Sequence, residues 1–243
     1  MARFFITGSA GGLGLNAARE LMQQGHEVVL HARTESRLAD AGEVRDQAVG
    51  TVVGNLADVD ETVRVAEQAN RYGPFEAIIH NAGVYSGSGV LAVNTVAPYV
   101  LTALMAPPPR LVYISSGMHR SGTPDLQGIN WRDAARRPGA YSDSKLYVTA
   151  LAAAVANRWP DVESNAVDPG WVPTRMGGRG APDDLELGHV TQVWLVTHSG
   201  GSRESGAYWF HQKRREPHPA VNDPAFQAEL LGALERHTGI ALP

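Results

Sequence analysis

Apolar positions along the chain follow two rhythms in turn, and their alternation predicts the order of the elements. Short β-rich runs occur at Arg3–Thr7, Glu27–Ala32 (EVVLHA), Gly50–Gly54 (GTVVG), Ala77–His80 (AIIH), Leu111–Ser115 (LVYIS) and Glu163–Val167 (ESNAV). Runs this short, rich in β-branched residues, are expected to be strands. Between them, apolar residues recur at helical spacing. Leu13, Ala17, Ala18 and Leu21 mark a helix that Gly25 stops. Val59–Tyr72 has the pattern of a polar-faced helix, Tyr141–Trp159 that of a long helix ended by Pro160, and Asp223–Thr238 that of a closing helix. Strand and helix in alternation predict an α/β chain, a doubly wound parallel sheet with helices on both faces. Such sheets bind ligands beyond the carboxyl ends of their strands, near the point where strand order reverses. Pro107–Pro109 is a break before the fifth strand and no linker follows, so residues 1–243 are expected to form one domain.

Composition removes several classes of function. The 243 residues suffice for one substantial core. A net charge of −4, from 21 basic and 25 acidic residues, gives no electrostatic case for a nucleic-acid partner. With no Cys, disulfides, thiolate chemistry and cysteine-ligated zinc are excluded. The scattered His residues suggest no metal site. Phe4–Ile6 is too short for a signal-peptide core, and the apolar stretch Val90–Met105 is interrupted by Asn94, Thr95, Pro98 and Thr102. A soluble, cytoplasmic protein without a membrane span is expected. Lys213-Arg214-Arg215 is expected to be a solvated tail.

The first strand runs into Thr7-Gly8-Ser9-Ala10-Gly11-Gly12-Leu13-Gly14. Glycines there permit a tight turn and close approach of backbone to a pyrophosphate, and the following helix directs free N–H groups at it. A turn without a ligand is the plainer alternative. The spacing TGxxxGxG resembles that of the short-chain dehydrogenases/reductases. Their resemblance extends to Asn81-Ala82-Gly83 after the fourth strand, similar to the family's NAG element beside the cofactor. It implies a single-domain Rossmann fold with Gly8, Ser9, Gly12, Leu13, Gly14, Asn81, Ala82 and Gly83 around a dinucleotide. Asn55-Leu56 stands where the family usually carries Asp-Leu or Asp-Val near the adenine; the amide oxygen can still accept a hydrogen bond, without the charge. The second strand ends in Ala32, where NAD sites usually place an acid, and Arg33 follows. A guanidinium suits a ribose 2′-phosphate, so NADP(H) is expected over NAD(H).

Tyr141-Ser142-Asp143-Ser144-Lys145 matches the family's YxxxK. Residues four apart share a helix face, so Tyr141 and Lys145 can point into one cleft. Free tyrosine titrates near about 10, and a neighbouring ammonium is expected to lower that value. The resemblance implies that Ser116 bonds the substrate oxygen, that Asn94 keeps a water in a proton relay, and that Lys145 holds the nicotinamide ribose. It also implies that Pro169, Gly170, Val172 and Thr174, in Asp168-Pro169-Gly170-Trp171-Val172-Pro173-Thr174, contact the nicotinamide carboxamide. The expected activity is hydride transfer between NADP(H) and a small carbonyl or alcohol, Tyr141 passing the proton. NAD-linked alcohol oxidation and a non-catalytic dinucleotide sensor are the alternatives.

Twenty-five positions separate Ser116 from Tyr141. That insert and the stretch Ser205–Phe210 are similar to the retinol-dehydrogenase-like and protochlorophyllide-reductase-like branch. Only ten residues separate Gly83 from Asn94, fewer than that branch usually has. Trp171, Met118, Met176 and Val84 are expected at the rim of an apolar pocket, with His119 either beside it or on a surface loop. The Gly- and Pro-rich segment 172–186 is expected to form a lid.

Overall fold

The computed structural model describes residues 1–197 and 204–243. The chain forms β1 (Arg3–Ile6), α1 (Gly12–Gln23), β2 (Glu27–Ala32), α2 (Glu35–Ala39), α3 (Glu43–Gln47), β3 (Gly50–Val53), α4 (Val59–Asn70) and β4 (Ala77–His80). A π-helical turn at Ala92–Val96 leads into α5 (Ala97–Leu104), β5 (Arg110–Ile114) and a 3-10 turn at Gly117–Ser121. Then come α6 (Ala140–Arg158), β6 (Glu163–Asp168), α7 (Leu187–Thr197), β7 (Tyr208–Phe210), β8 (Lys213–Arg215) and α8 (Pro224–Thr238).

The strands make one eight-stranded sheet in the order β3-β2-β1-β4-β5-β6-β7-β8. All neighbours are parallel except β7 and β8. Strand order reverses between β1 and β4, since β1 pairs with both β2 and β4. This opens a crevice at their carboxyl ends. Successive strand residues feed opposite cores. Phe5, Val29, Ile78 and Leu111 pack on the face covered by α4, α5, α6 and α8. Phe4, Ile6, Leu30, Ile79 and Val112 pack with α1 and α7 on the other. Burial on both faces explains why these strands are apolar throughout instead of alternating with polar positions.

Local chemistry fixes the helix ends. Asp58 caps α4 by accepting from the Glu61 N–H, and Asp223 caps α8 by accepting from the Ala225 N–H. Gly239, at φ 71°, ends α8 in the left-handed conformation. Helix α6 is buried along most of its length, which its run of Ala and Leu permits.

Lys213–Arg215 corrects the expectation of a tail. Its side chains are exposed, but its backbone pairs with β7 in the register Tyr208↔Arg215, Trp209↔Arg214 and Phe210↔Lys213. A two-residue turn joins the strands, with His211 at φ 47° and Gln212 at φ 59°. Two positive φ angles describe the tight hairpin turn that Asn-Gly normally marks. His-Gln carries no such mark, so the hairpin is hidden in the sequence.

Candidate active site

The glycine turn lies at the carboxyl end of β1. Gly8 takes φ +65°, and a Cβ there would fall 2.9 Å from Ala82 Cα. A Cβ on Gly14 would fall 2.4 Å from Asn81 Nδ2. Glycine is therefore required where this turn and the first turn of α1 press against Asn81-Ala82. The contact is bonded as well as close: Asn81 Nδ2 donates to the carbonyls of Thr7 (2.9 Å) and Gly8 (3.2 Å), and the Ala82 N–H donates to Thr7 Oγ1 (3.0 Å).

Three features of the turn fit a dinucleotide phosphate. No side chain caps the N-terminus of α1, leaving its first N–H groups to a ligand. The space a Cβ on Gly11 would enter is open, and one on Gly12 (φ +56°) would reach only Thr174, at 3.8 Å. Arg33 is exposed at the end of β2 and, among the described residues, its side chain has no hydrogen-bond or ion-pair partner. Arg37 is instead tied to Asp40 at 2.6 Å. Leu13 and Val172 pack together under Gly188 of α7, joining the turn to the segment after β6.

Ser9 departs from expectation. Its hydroxyl donates to the Ile6 carbonyl (2.8 Å) and accepts from the His31 N–H (2.9 Å), while its own N–H donates to the His31 carbonyl (3.0 Å). Fully buried, it keeps no donor for a phosphate and ties the turn to β2. Asn55 Oδ1 likewise accepts from the Ala57 N–H (3.2 Å), with the Glu61 carboxylate on the Asn55 N–H (2.7 Å). Leu56 is buried in the core beside it.

Asn94, Ser116, Tyr141 and Lys145 converge across the crevice. Lys145 Nζ is buried and donates to the Ile114 carbonyl at 2.8 Å. A Cβ on Gly83 would stand 3.4 Å from Asn94 Oδ1 and 3.5 Å from Lys145 Nζ, so the two side chains flank one point. Asn94 sits in the π-helical turn, where its Oδ1 accepts from the Val84 N–H and its Nδ2 donates to the Val84 carbonyl, both at 2.9 Å. A second bond from Nδ2 reaches Ser144 Oγ at 3.0 Å. The ten-residue segment before it is thus stitched shut by Asn94, and its shortness does not displace that residue from Lys145.

Tyr141 is half-buried one turn before Lys145, whose ammonium lies 5.6 Å from its ring centroid. Burial raises the Tyr141 pKa above its ordinary value; a hydrogen bond with Ser116 lowers it, while Asp168 and Tyr85 raise it. The expected lowering by Lys145 is therefore not the net result, because burial of Tyr141 outweighs it. Burial lowers the Lys145 pKa to about 8, against the upward pull of Asp168.

Four contributors carry little or no signal in the sequence. His31 lies inside β2, and its ring accepts from the Gly8 N–H. Tyr85 packs against Tyr141, ring centroids 4.7 Å apart and planes tilted by 50°. Asp168 ends β6 and accepts from Tyr208 Oη (2.9 Å) and the Gly170 N–H (3.0 Å). His119 is fully buried, neither on the rim nor in a surface loop. Its Nε2 accepts from the His218 N–H (3.0 Å), so the proton is on Nδ1, which donates to the Ser116 carbonyl (2.8 Å) and fixes the backbone there. An acid closing a buried strand before Pro-Gly was the one visible hint among these.

Three exposed large apolar side chains lie at this site: Tyr85 against Tyr141, Met118 with its N–H on Ser116 Oγ, and Met176 near Gly83; Trp171 and Leu187 are exposed as well. Trp171 Nε1 donates to the Gly177 carbonyl (2.8 Å), and the Trp171 N–H to Asp183 (2.6 Å), folding segment 171–183 on itself. Met176 Cε stands 3.9 Å from the Gly83 Cβ position, beside Asn94 and Lys145. Among the described residues no cluster of three or more His, Asp or Glu could hold a metal, and no helix is long and apolar enough to cross a membrane.

Comparison with known proteins gives this arrangement a family. A model described as short chain dehydrogenase matches residues 3–107. The chain is 40% identical to the short-chain dehydrogenase chyC of Penicillium rubens, over 100% of both chains. A solved structure from Mycobacterium paratuberculosis shares the fold with a TM-score of 0.83, over 100% of this chain and 95% of that one, at 22% identity. The RhlG/NADP active-site complex of Pseudomonas aeruginosa does so with a TM-score of 0.70, over 86% of this chain and 94% of that one, at 17% identity. With a relative this similar along its whole length and a Rossmann sheet of this order, the chain belongs to the short-chain dehydrogenase/reductase family of oxidoreductases.

Proposed function

We propose that the protein is an NADP(H)-dependent oxidoreductase that interconverts an apolar carbonyl compound and its alcohol. The observation that carries this reading is the convergence of Asn94 and Lys145 on one point beside Gly83, with Tyr141 one turn before Lys145 on the same helix and its ring 5.6 Å from the ammonium. The glycine turn and the free N–H groups of α1 would hold the pyrophosphate, Arg33 the 2′-phosphate, Leu56 and Asn55 the adenine, and Lys145 the nicotinamide ribose. Asn81, Ala82 and Gly83 would support the sheet side of the site, with Pro169, Gly170, Val172 and Thr174 at the nicotinamide end. Bound there, the cofactor supplies or accepts a hydride. A neighbour of the same fold has been solved with NADP, in keeping with this cofactor.

The side chains provide the proton and the orientation. Ser116 and Tyr141 donate hydrogen bonds to the substrate oxygen, where negative charge grows during reduction. Tyr141 then gives its proton to that oxygen as general acid. Its raised pKa keeps it protonated at neutral pH, so it meets the substrate as a donor. The Lys145 ammonium, buried next to it, stabilises the phenolate left behind. Asn94 holds the loop of Val84 beside Lys145 and keeps the water through which the proton is replaced. In alcohol oxidation each transfer reverses.

The exposed side chains of Tyr85, Met118 and Met176 beside the site suit an apolar substrate, whose surface would leave water on binding. The test is NADPH oxidation against a panel of aromatic and aliphatic aldehydes and ketones. Turnover on an apolar member is expected, with Tyr141→Phe reducing it by ~10²–10⁴-fold while cofactor affinity is held. Near-normal turnover in that variant would refute the assignment of the proton donor. Cofactor binding without turnover on any member would favour a sensor.

A further inference from the structure

Tyr85 touches the proposed proton donor, yet the transfer scheme above gives it no role. Its ring lies 4.7 Å from that of Tyr141, centroid to centroid, with the planes tilted by 50°. The residue is nonetheless 54% exposed, so part of it rests on Tyr141 and the remainder is open to solvent. Its hydroxyl has no hydrogen-bond partner among the described residues. The ring is also held in place. Asn94 clamps the residue before it, accepting from the Val84 N–H and donating to the Val84 carbonyl, both at 2.9 Å. Farther along the same short loop, the Ser88 carbonyl accepts from the Ala134 N–H at 2.9 Å. A ring on a loop tied at both ends loses little freedom when a ligand settles on it.

Two thioethers complete the surroundings. The Met118 N–H donates to Ser116 Oγ at 3.2 Å, and Met176 Cε stands 3.9 Å from the Gly83 Cβ position, near Lys145 Nζ. Both side chains are nearly half exposed. Apolar residues exposed singly are ordinary, whereas several gathered at one site mark a binding surface. Any apolar group gains from burial there. An aromatic group gains further, from the quadrupole of the Tyr85 ring and from the polarisable sulfurs.

We propose, resting on the reductase reading, that Tyr85 determines specificity and that the substrate is an aryl-bearing carbonyl compound, its arene packed on the open part of the Tyr85 ring while Tyr141 and Ser116 hold the oxygen. The contact between the two tyrosines sets the reach. Because Tyr85 rests on Tyr141 itself, an arene that meets it must stand close to the reacting carbonyl. At about 1.5 Å per carbon–carbon bond, one or two bonds between carbonyl carbon and ring suit a neighbour 4.7 Å away. A long aliphatic spacer would carry the ring past it.

A matched pair of ketones isolates the aromatic contribution: phenylacetone and cyclohexylacetone share the carbonyl, the spacing and nearly the same shape. The saturated ring is the more apolar, so burial alone favours it. With NADPH, the wild-type enzyme should prefer phenylacetone in kcat/KM by roughly three- to tenfold, the range of an aromatic pair beyond its buried area. Tyr85→Leu should bring the ratio to about one or below, and Tyr85→Phe should keep it. A general loss from unsettling Tyr141 affects both ketones and cancels in the ratio. Calorimetric dissociation constants of the two ketones from the NADP⁺ complex, where no hydride is available, should show the same ratio without turnover. Tyr85-dependent preference in binding with neither ketone reduced by NADPH would refute the reductase reading and uphold the role of Tyr85 in ligand choice. A wild-type ratio at or below one by both measures, a preference that survives Tyr85→Leu or is lost in Tyr85→Phe, or no binding of either ketone would overturn the proposal.

Discussion

The Gly8 N–H donates to His31 Nδ1 at 3.0 Å, so the glycine turn hangs from a side chain of β2. Nδ1 is an acceptor, which puts the proton on Nε2, and Nε2 donates to the Gly54 carbonyl at 3.0 Å. One buried ring thus bridges the ends of β1, β2 and β3 on the nucleotide side of the sheet. His31→Phe fills similar space but leaves the Gly8 N–H without its acceptor, at a cost of ~1–3 kcal/mol. NADPH affinity, measured by fluorescence titration, should fall roughly ten- to a hundredfold. His31→Gln, which can both accept and donate, should recover part of the loss. Equal affinity in all three proteins would show that the turn holds itself.

Arg33 should set the choice between NADPH and NADH. It is exposed and, among the described residues, without a hydrogen-bond or ion-pair partner where Ala32 leaves no acid, and its neighbour Arg37 is already engaged by Asp40. Arg33→Ala is expected to raise KM for NADPH by roughly tenfold or more, the lower part of the range for charge-assisted bonds because solvent screens them. KM for NADH should barely change. Ala32→Asp should reverse the preference by repelling the 2′-phosphate. The measurement is kcat/KM for both cofactors; indifference to Arg33→Ala would make this arginine a solvated loop residue.

Acid should destabilise the fold through its buried imidazoles. Burial lowers His31 to about 4 and His80 to about 3. With folded values below the unfolded one near 6.5, the unfolded chain binds more protons. Stability is therefore complete above about pH 6.5 and is lost as pH falls through the folded values. For His31 the full loss is on the order of 3 kcal/mol. Urea unfolding between pH 7 and 4.5 should show stability declining, less steeply in His31→Gln. A flat profile would mean that neither imidazole titrates on unfolding.

Segment 172–186 should gain hydrogen-exchange protection when NADPH binds. Its Met176 reaches toward Gly83, Asn94 and Lys145, which are the cofactor's proposed neighbours. Ligand entry must move that side chain and reorder the loop that Trp171, Gly177 and Asp183 hold together. Protection identical with and without NADPH would argue for an ordinary surface loop.

The main sheet and the convergent side chains were legible because each has a local signature. Parallel strands show as short apolar runs, and Tyr141 and Lys145 reveal their shared face by spacing alone. What stayed hidden depends on distance in sequence. His31 looks like one polar interruption in EVVLHA until Gly8 and Gly54 are brought to either side of its ring. Ser9 resembles a phosphate ligand until the ends of β1 and β2 between them engage its donors. Tyr141 was expected to titrate low because Lys145 follows it by four; burial against residues distant in sequence, Tyr85 among them, raises it instead. Helix α7 and strand β7 follow α6 and β6 in a region whose patterning is weak, and β8 has none.

The hairpin of β7 and β8 bears on how copies of the molecule can meet. Beyond Lys213, Arg214 and Arg215 the outer backbone still offers hydrogen-bonding groups, the kind of edge onto which another sheet can graft. A second copy docking there strand to strand would bring two such cationic ribbons side by side. Of the three, Arg214 alone has an acidic neighbour among the described residues, Glu204 at 3.7 Å. Like charge forced together along two short strands costs more than so few backbone bonds return. The charge on β8 thereby guards this edge of the sheet against strand-to-strand addition of a second copy.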